Sequence, residues 1–308
     1  MKKRNIIVLF LITIFLLSSC GSKGDSQPAP ADESQESAAQ EEEAKEEENK
    51  ESAVASSDEM VEVEDVVEDW MVPIYAESLK EGTYPITVSS SSSMFKIEGG
   101  ELTVKDGELT VAMTMGGKGY RYLYMGTGEE AVDAPESEYI PYQENADGAH
   151  VYTVPIEALD QGVPCAAFSN KKEKWYDRTL LYRSDSLPLE AFKDELIVTA
   201  AKLGLEDGEY SVDVSLNGGT GRTSVESPCK IKVEGDSCIA TIVWSSDKYD
   251  YMIVDGEKYL PINTEGNSTF EIPVKVFDRA MAIIGDTIAM SEPHEIDYTL
   301  IFDSKSIK

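Results

Sequence analysis

The sequence predicts an all-β protein of two tandem β-sandwich repeats, joined by one helix and preceded by a disordered acidic tether. Three observations lead to this prediction. Short runs of Val, Ile, Thr and Tyr alternate with turn residues every eight to twelve positions. The chain also matches itself at offsets of 120 to 129 residues. Finally, residues 21–69 contain 18 acidic and 3 basic residues and no aromatic residue.

The first element is a targeting segment. Three basic residues precede an apolar run over residues 5–17, which is too short to cross a bilayer and is typical of a secretory signal. Residues 17–21, Leu-Ser-Ser-Cys-Gly, resemble the lipobox of bacterial lipoproteins, in which the Cys carries the lipid. The resemblance implies a signal peptide over 1–19, lipidation of Cys20 and an extracytoplasmic chain held at the cell membrane. An ordinary signal peptide with Cys20 as a bystander is the alternative.

Residues 20–70 form the second predicted element, an acidic disordered linker. Such a composition cannot bury enough apolar surface to fold. As a random coil it would reach on the order of 40 Å, which suits a tether between the membrane and a folded domain. An acidic, cation-binding tail remains the alternative interpretation.

The repeat defines the two predicted sandwiches, over residues 71–187 and 205–308. Gly82-Thr83-Tyr84 matches Gly208-Glu209-Tyr210 at an offset of 126, residues 102–111 match 231–240 at 129, and residues 179–182 match 299–302 at 120. The changing offset indicates insertions and deletions in the loops between copies. Asp106-Gly107 lies between two Leu-Thr-Val strings and predicts a two-residue hairpin turn.

A helix is predicted over residues 188–204, between the two copies. Pro188 precedes this segment and Gly204 ends it, as is typical of helix boundaries. Apolar residues recur between them at roughly helical spacing: Leu189, Phe192, Leu196, Ala200 and Leu203.

Composition excludes several functions. The formal net charge of −31 opposes binding to nucleic acid through a basic surface. The sequence contains no HExxH, CxxC or Walker-type string, and two histidines offer few imidazole bases. We therefore expect a binding protein rather than an enzyme.

Each copy resembles the NEAT domain, the immunoglobulin-like haem carrier of Gram-positive cell surfaces. The resemblance lies in the Gly82-Thr83-Tyr84 opening, a Ser-rich segment from Ser89 to Met94, the hairpin over 102–111 and the closing strand at 298–303. It implies an immunoglobulin-like sandwich in each copy and haem as a transported ligand. A transporter or another surface haem protein would be the partner.

In that family a Tyr-x-x-x-Tyr pair on the closing hairpin ligates ferric iron through its first member. The matching positions in the second copy are His294 and Tyr298, so the resemblance implies His294 as the metal ligand with Tyr298 beside it. The other candidates in this copy are Arg222 and Ser224, on a Gly-rich loop over residues 218–224, and the strand tyrosines Tyr249 and Tyr251.

The first copy has Lys174 and Arg178 at those two positions, and neither has a lone pair to give to iron. Both could hold haem propionates instead, with Tyr176, Met94 or Met115 at the iron. The remaining first-copy candidates are Ser93, Tyr120 and Tyr122. The second copy is therefore the expected haem site.

Two alternatives stay open. Tyr298 could be a core tyrosine, with His294 at the solvent edge of the same strand. Strand tyrosines are predicted to lie on one face of each copy, where they could pack in the core or stack on a ligand: Tyr120, Tyr122 and Tyr124 in the first and Tyr249 and Tyr251 in the second. The expected function is a membrane-anchored lipoprotein that captures haem, or another iron-bearing ligand, for uptake. The alternative is an immunoglobulin-like surface module that binds glycan or protein partners.

Overall fold

The computed structural model describes residues 53–289 and 292–308. The predicted signal peptide at 1–19 and the predicted lipidation site Cys20 lie outside these residues. Within the described part of the chain, no helix has the length and apolar character needed to cross a membrane.

The first lobe contains eleven strands that pair antiparallel. Nine of them form one sheet in the order β6-β5-β10-β11-β2-β3-β4-β8-β7, and β1 pairs with β9. The strands are β1 Ile74–Tyr75, β2 Gly82–Ser90, β3 Ile97–Lys105, β4 Glu108–Met115, β5 Tyr120–Tyr124, β6 Ile140–Pro141, β7 Gln143–Glu144, β8 His150–Ile156, β9 Ala158–Leu159, β10 Gly162–Ser169 and β11 Trp175–Arg183.

The second lobe contains nine strands in two antiparallel sheets, ordered β12-β14-β15-β18 and β13-β20-β19-β16-β17. The strands are β12 Gly208–Val212, β13 Val214–Gly218, β14 Cys229–Glu234, β15 Ser237–Val243, β16 Tyr249–Val254, β17 Glu257–Tyr259, β18 Thr269–Pro273, β19 Met281–Thr287 and β20 His294–Phe302. The prediction of an all-β sandwich fold is confirmed.

The two lobes pair their strands in the same order and register. In the first lobe the single strand β2 pairs with β3 up to Ile86 and with β11 from Thr87 onward. In the second lobe this strand is divided into β12 and β13, which pair with β14 and β20. Tyr84 lies opposite Leu102 in the first lobe, as Tyr210 lies opposite Ile231 in the second.

Each lobe has its own hydrophobic core. Alternate residues of the strands point inward, as expected for sheets with one buried face. Leu102, Val111 and Leu180 are fully buried in the first core, and Ala240, Ile242 and Leu300 are fully buried in the second.

Several short elements connect the strands. The Asp106-Gly107 turn is confirmed, because Lys105 lies opposite Glu108 and both turn residues have positive φ, 52° and 79°. Helix α1 covers Gly128–Asp133. Single 3₁₀ turns cover Ser57–Glu59, Ala76–Ser78, Glu136–Glu138, Ser184–Ser186, Leu189–Ala191, Asp194–Leu196 and Ser304–Ser306.

The helix predicted over 188–204 is wrong. Two 3₁₀ turns, Leu189–Ala191 and Asp194–Leu196, stand in its place, with extended backbone at Phe192 and Lys193 between them. The apolar residues of this segment serve two different cores: Phe192 is buried in the first, while Ala200 is buried in the second. A single helix would place these apolar residues on one stripe facing one core. Because they are buried in two cores, an extended backbone with short turns is favoured.

The last part of the disordered linker predicted over 20–70 is ordered, and the rest of it, residues 20–52, lies outside the described residues. Residues 53–70 pack on the first lobe, where the Ala55 amide donates to the Trp175 carbonyl at 2.8 Å and the Glu64 amide to the Ser91 carbonyl at 2.9 Å. Val residues lie between the acidic residues of this stretch and make apolar contacts. The overall composition of residues 20–70 gives no indication of these contacts.

The lobes contact each other through Asp185 and Thr299. The Thr299 hydroxyl donates to Asp185 Oδ2 at 2.8 Å, and Arg183 Nη2 donates to the same hydroxyl at 3.2 Å. Thr299 and the Asp185 side chain are almost fully buried, so this polar contact is shielded from water.

Candidate functional site

A β-bulge separates the tyrosines that open β5 and β16. In the first lobe Tyr122 lies opposite Phe168 and Tyr120 opposite Ser169, so β5 carries one extra residue. The register of β16 shifts in the same way between Tyr249 and Tyr251. A bulge reverses the alternation of side chains, so the prediction that these tyrosines share one face is wrong.

The inner and outer tyrosines have different surroundings. Tyr120 packs against the first core, and Tyr249 is buried in the second. Tyr122 instead joins an aromatic cluster on the outer face of the sheet, with ring centroids 5.7 Å from Tyr139 and 6.5 Å from Phe168. Of the four tyrosines Tyr120, Tyr122, Tyr249 and Tyr251, Tyr120 and Tyr249 are therefore the two that contact the interior of a lobe.

In the first lobe the inner tyrosine borders a groove between the Ser-rich segment and the β10–β11 hairpin. A cavity of about 250 Å³ lies in this groove. Its lining includes four of the sequence-predicted candidates, namely Met94, Tyr120, Tyr176 and Arg178. The other lining residues are Glu59, Met60, Val61, Val63, Ser92, Ser169, Lys172 and Asp177.

Arg178 is the buried charge of this groove, with only 6% of its surface exposed. Its guanidinium carbon lies 4.3 Å from the ring centroid of Phe95 and 4.9 Å from that of Tyr120. Nη2 donates to the Tyr176 carbonyl at 2.8 Å and Nη1 to the Tyr120 hydroxyl at 3.4 Å, while Nε has no partner.

No ion pair among the described residues includes Arg178. The nearest carboxylate in sequence, Asp177, accepts a hydrogen bond from the Gly128 amide at 2.6 Å. A buried cation normally needs a paired anion. Arg178 is therefore a buried cation without an ion-pair partner among the described residues, although Glu59 and Asp177 also line the groove.

The remaining first-lobe candidates lie around this groove rather than in it. Lys174 pairs with Glu59, Nζ to Oε2 at 2.8 Å, and Ser93 is exposed on the Ser-rich segment next to Met94. Met94 is itself 68% exposed and so open to a ligand. Met115 is buried in the core and is not available as an iron ligand.

One part of the groove could not be found from the residue pattern. Glu59, Met60, Val61 and Val63 line the cavity although they belong to the predicted tether. The sequence signal was weak: apolar residues at 60, 61 and 63 interrupt the acidic run.

Tyr298 lies in the core of the second lobe. It is 5% exposed, and its ring packs edge-on against Trp244 with centroids 5.2 Å apart. Its hydroxyl lies 2.8 Å from that of Tyr249, which also donates to Thr223 Oγ1 at 3.1 Å. Burial and this hydrogen bond both raise the pKa of Tyr298. These contacts match the alternative of a core tyrosine.

Tyr249 is thus in contact with Tyr298, but no hydrogen bond or ring contact among the described residues joins the other second-lobe candidates to it. His294 is exposed at the first position of β20, opposite Thr287. Arg222 and Ser224 are exposed on the Gly-rich loop. Tyr251 lies on the outer face, where its hydroxyl donates to Glu295 Oε1 at 2.8 Å. Within residues 53–289 and 292–308, no group of three or more His, Cys, Asp or Glu residues is arranged to hold a metal ion.

Comparisons with known proteins give similar solved structures but no matching sequence family. No family model matches the chain, and no curated protein matches it. Among solved structures, a mutant of the IsdX2-NEAT5 domain in complex with heme is similar over 32% of this chain and 97% of that chain. The TM-score is 0.27 and the sequence identity is 14%.

Proposed function

We propose that this protein is a membrane-anchored, extracytoplasmic binding lipoprotein that captures haem, or another anionic iron-bearing ligand, in the groove of the first lobe. The observation that carries this proposal is Arg178, a buried guanidinium that lines the groove without a carboxylate partner. An anionic group of a ligand would supply the missing counter-charge.

The charge and the shape of the groove favour an amphipathic anion as its ligand. Lys172 also lines the groove and Lys174 flanks it, so three cations lie at a place where two carboxylates, Glu59 and Asp177, line the cavity, in a chain of net charge −31. Met94, Tyr120 and Tyr176 provide apolar and aromatic surface beside them. Apolar walls with a few charged groups are typical of small-ligand sites.

Iron coordination would fall to Tyr176 or Met94. A phenolate oxygen and a thioether sulfur both serve as haem ligands. The hydroxyl of Tyr120 is engaged by Arg178, which leaves it in a supporting role. Cys20 and the preceding apolar run support the membrane anchor, and the acidic net charge opposes nucleic acid as a partner.

A ferric haem titration followed by absorbance tests this function. The full chain is purified in detergent, as wild type, Arg178→Met and Tyr176→Phe. Arg178→Met keeps the apolar bulk of the side chain but removes the charge. We expect its haem affinity to fall at least about tenfold, since a hydrogen bond to a charged group is worth about 1.5–3 kcal/mol. A changed ligand band in Tyr176→Phe would identify the iron ligand.

The second lobe provides the matched controls. His294→Ala and Tyr298→Phe should bind haem as the wild type does, because neither residue lies near the groove of the first lobe. Haem binding that is lost in His294→Ala and unchanged in Arg178→Met would contradict the proposal and return the site to the second lobe. If the wild type binds no haem, a glycan or protein partner becomes the function to pursue.

A further inference from the structure

We infer that the groove is already occupied by this chain's own residues 54–64, and that a ligand binds there by displacing them. We call residues 54–64 the strap. This inference rests on the proposed function, because it concerns the same groove, and it adds a competing intramolecular occupant.

The strap is fixed near both ends by backbone contacts with the first lobe. At one end Val54 forms a parallel β-bridge with Trp175, and the Ala55 amide donates to the Trp175 carbonyl at 2.8 Å. At the other end the Glu64 amide donates to the Ser91 carbonyl at 2.9 Å. Trp175 begins β11 and Ser91 belongs to the Ser-rich segment, so the strap is attached to both elements that border the groove.

Its middle part fills space that a ligand would need. Met60 and Val63 line the cavity of about 250 Å³ and also line a second cavity of about 280 Å³ next to Thr127 and Thr179. Both volumes lie below the range of about 300–1,000 Å³ that holds a drug-sized ligand. Without Met60 and Val63 the two spaces would join, and Arg178 and Asp177 line both of them.

Charge explains why an acidic segment occupies this place. Glu59 pairs with Lys174 at 2.8 Å, Nζ to Oε2, at the border of the groove. Glu62 and Glu64 flank the apolar residues of the strap. An acidic segment is thus drawn to the same cations that would attract an anionic ligand, which makes the two occupants competitors.

The strap is held weakly enough to be displaced. Val61 and Val63 are 41% and 61% exposed, so they bury little apolar surface. The Glu59–Lys174 pair is partly open to water, where ion pairs contribute little. Segments with few buried contacts open at low free-energy cost.

Hydrogen exchange of the strap amides, with and without ferric haem, tests this inference on the full chain in detergent. We expect the amides of Ala55 and Glu64 to exchange more slowly in the free protein, where they are hydrogen-bonded, than when haem is bound. Glu59→Gln should raise haem affinity about two- to fivefold by removing the ion pair. Glu62→Gln is the matched control, because it makes the same charge change at an exposed position without a hydrogen bond or ion pair among the described residues.

The outcomes separate the two proposals. Haem binding that leaves the exchange of these amides unchanged or slower would overturn the displacement and leave the haem function intact. Equal affinities of Glu59→Gln and Glu62→Gln would also count against it. If the wild type binds no haem while the amides are protected, the haem function fails and displacement by haem fails with it.

Discussion

Arg178 on β11 and Tyr298 on β20 occupy the same position in the two lobes. Arg178 lies opposite Cys165 on β10, and Tyr298 lies opposite Ile283 on β19. Each side chain contacts the inner tyrosine of its own lobe, Tyr120 or Tyr249. The same place in the fold therefore holds a cation without a counter-ion in the first lobe and a pair of neutral phenols in the second.

The phenol pair stabilises the second lobe. Tyr298→Phe removes one buried hydrogen bond, while the Tyr249 hydroxyl keeps its bond to Thr223. We expect the free energy of unfolding to fall by about 1 kcal/mol, measured by urea denaturation. Tyr210→Phe is the control: its hydroxyl bonds the Glu206 carbonyl at an exposed site, so a smaller loss is expected. Equal losses in the two variants would contradict a special role for the buried pair.

The Gly-rich loop closes over Tyr298. A Cβ on Gly219 would lie 2.6 Å from Cε1 of the Tyr298 ring, and the φ of Gly219 is 62°. Gly219→Ala should therefore lower the free energy of unfolding through both steric overlap and backbone strain, by about 1–3 kcal/mol for the overlap alone.

Gly221→Ala separates the two effects. Gly221 has a similar φ of 70°, but nothing lies within 4 Å of its added Cβ. We expect this variant to show only the cost of positive φ. Thermal unfolding of both variants gives the difference, and equal midpoints would show that the loop does not press on Tyr298.

The strand pairing and the turns could be predicted because they depend on local chemistry. The alternation of Leu102, Val104, Leu109 and Val111 around an Asp-Gly turn fixes both the register and the buried face. The bulge between Tyr249 and Tyr251 leaves no such trace, since an inserted residue does not change the residue types around it. Tyr251 therefore could not be placed on the outer face from its spacing to Tyr249.

Long-range packing explains the other differences between the sequence predictions and the structure. The apolar residues at 189–203 have nearly helical spacing, yet Phe192 and Ala200 belong to cores that lie in different lobes. The groove depended on Met60 and Val63, whose role becomes visible only when the chain folds back onto β11. For the same reason the sequence favoured His294 and Tyr298 over Arg178: residue type suggested iron ligands, whereas burial without a counter-ion is a property of the folded chain.

The contact between the lobes should contribute to stability. Thr299→Val keeps the side-chain shape but removes the hydroxyl that links Asp185 and Arg183 across the lobes. A hydrogen bond to a charged group is worth about 1.5–3 kcal/mol, and we expect a loss of that size in urea unfolding.

Thr179→Val is the matched control for this variant. Thr179 occupies the corresponding position on β11, since Thr179 and Thr299 each precede a Leu that pairs with β2 or β13. Among the described residues its hydroxyl takes part in no hydrogen bond. A loss in Thr179→Val as large as that in Thr299→Val would show that the effect comes from the substitution itself and not from the contact between lobes.

His150 should make stability depend on pH. It is 4% exposed on β8 and stacks on Tyr142 with ring centroids 3.5 Å apart, and its Nδ1 has no hydrogen-bond partner. Burial is the main cause that lowers the pKa of His150 below the ordinary 6.5, and the nearby Lys118 adds to it. The unfolded chain therefore takes up a proton near pH 6.5 while the folded chain still resists it.

The stabilising effect of a neutral His150 is complete above pH 6.5 and is lost as the pH falls through the lowered pKa of the folded state. His150→Phe keeps an aromatic ring against Tyr142 but cannot titrate. We expect the free energy of unfolding, measured in urea between pH 8 and pH 5, to fall more steeply in the wild type than in this variant. The comparison cancels the carboxylates, which titrate in both proteins. Parallel pH profiles would mean that the folded chain accepts the proton on His150 as readily as the unfolded chain does.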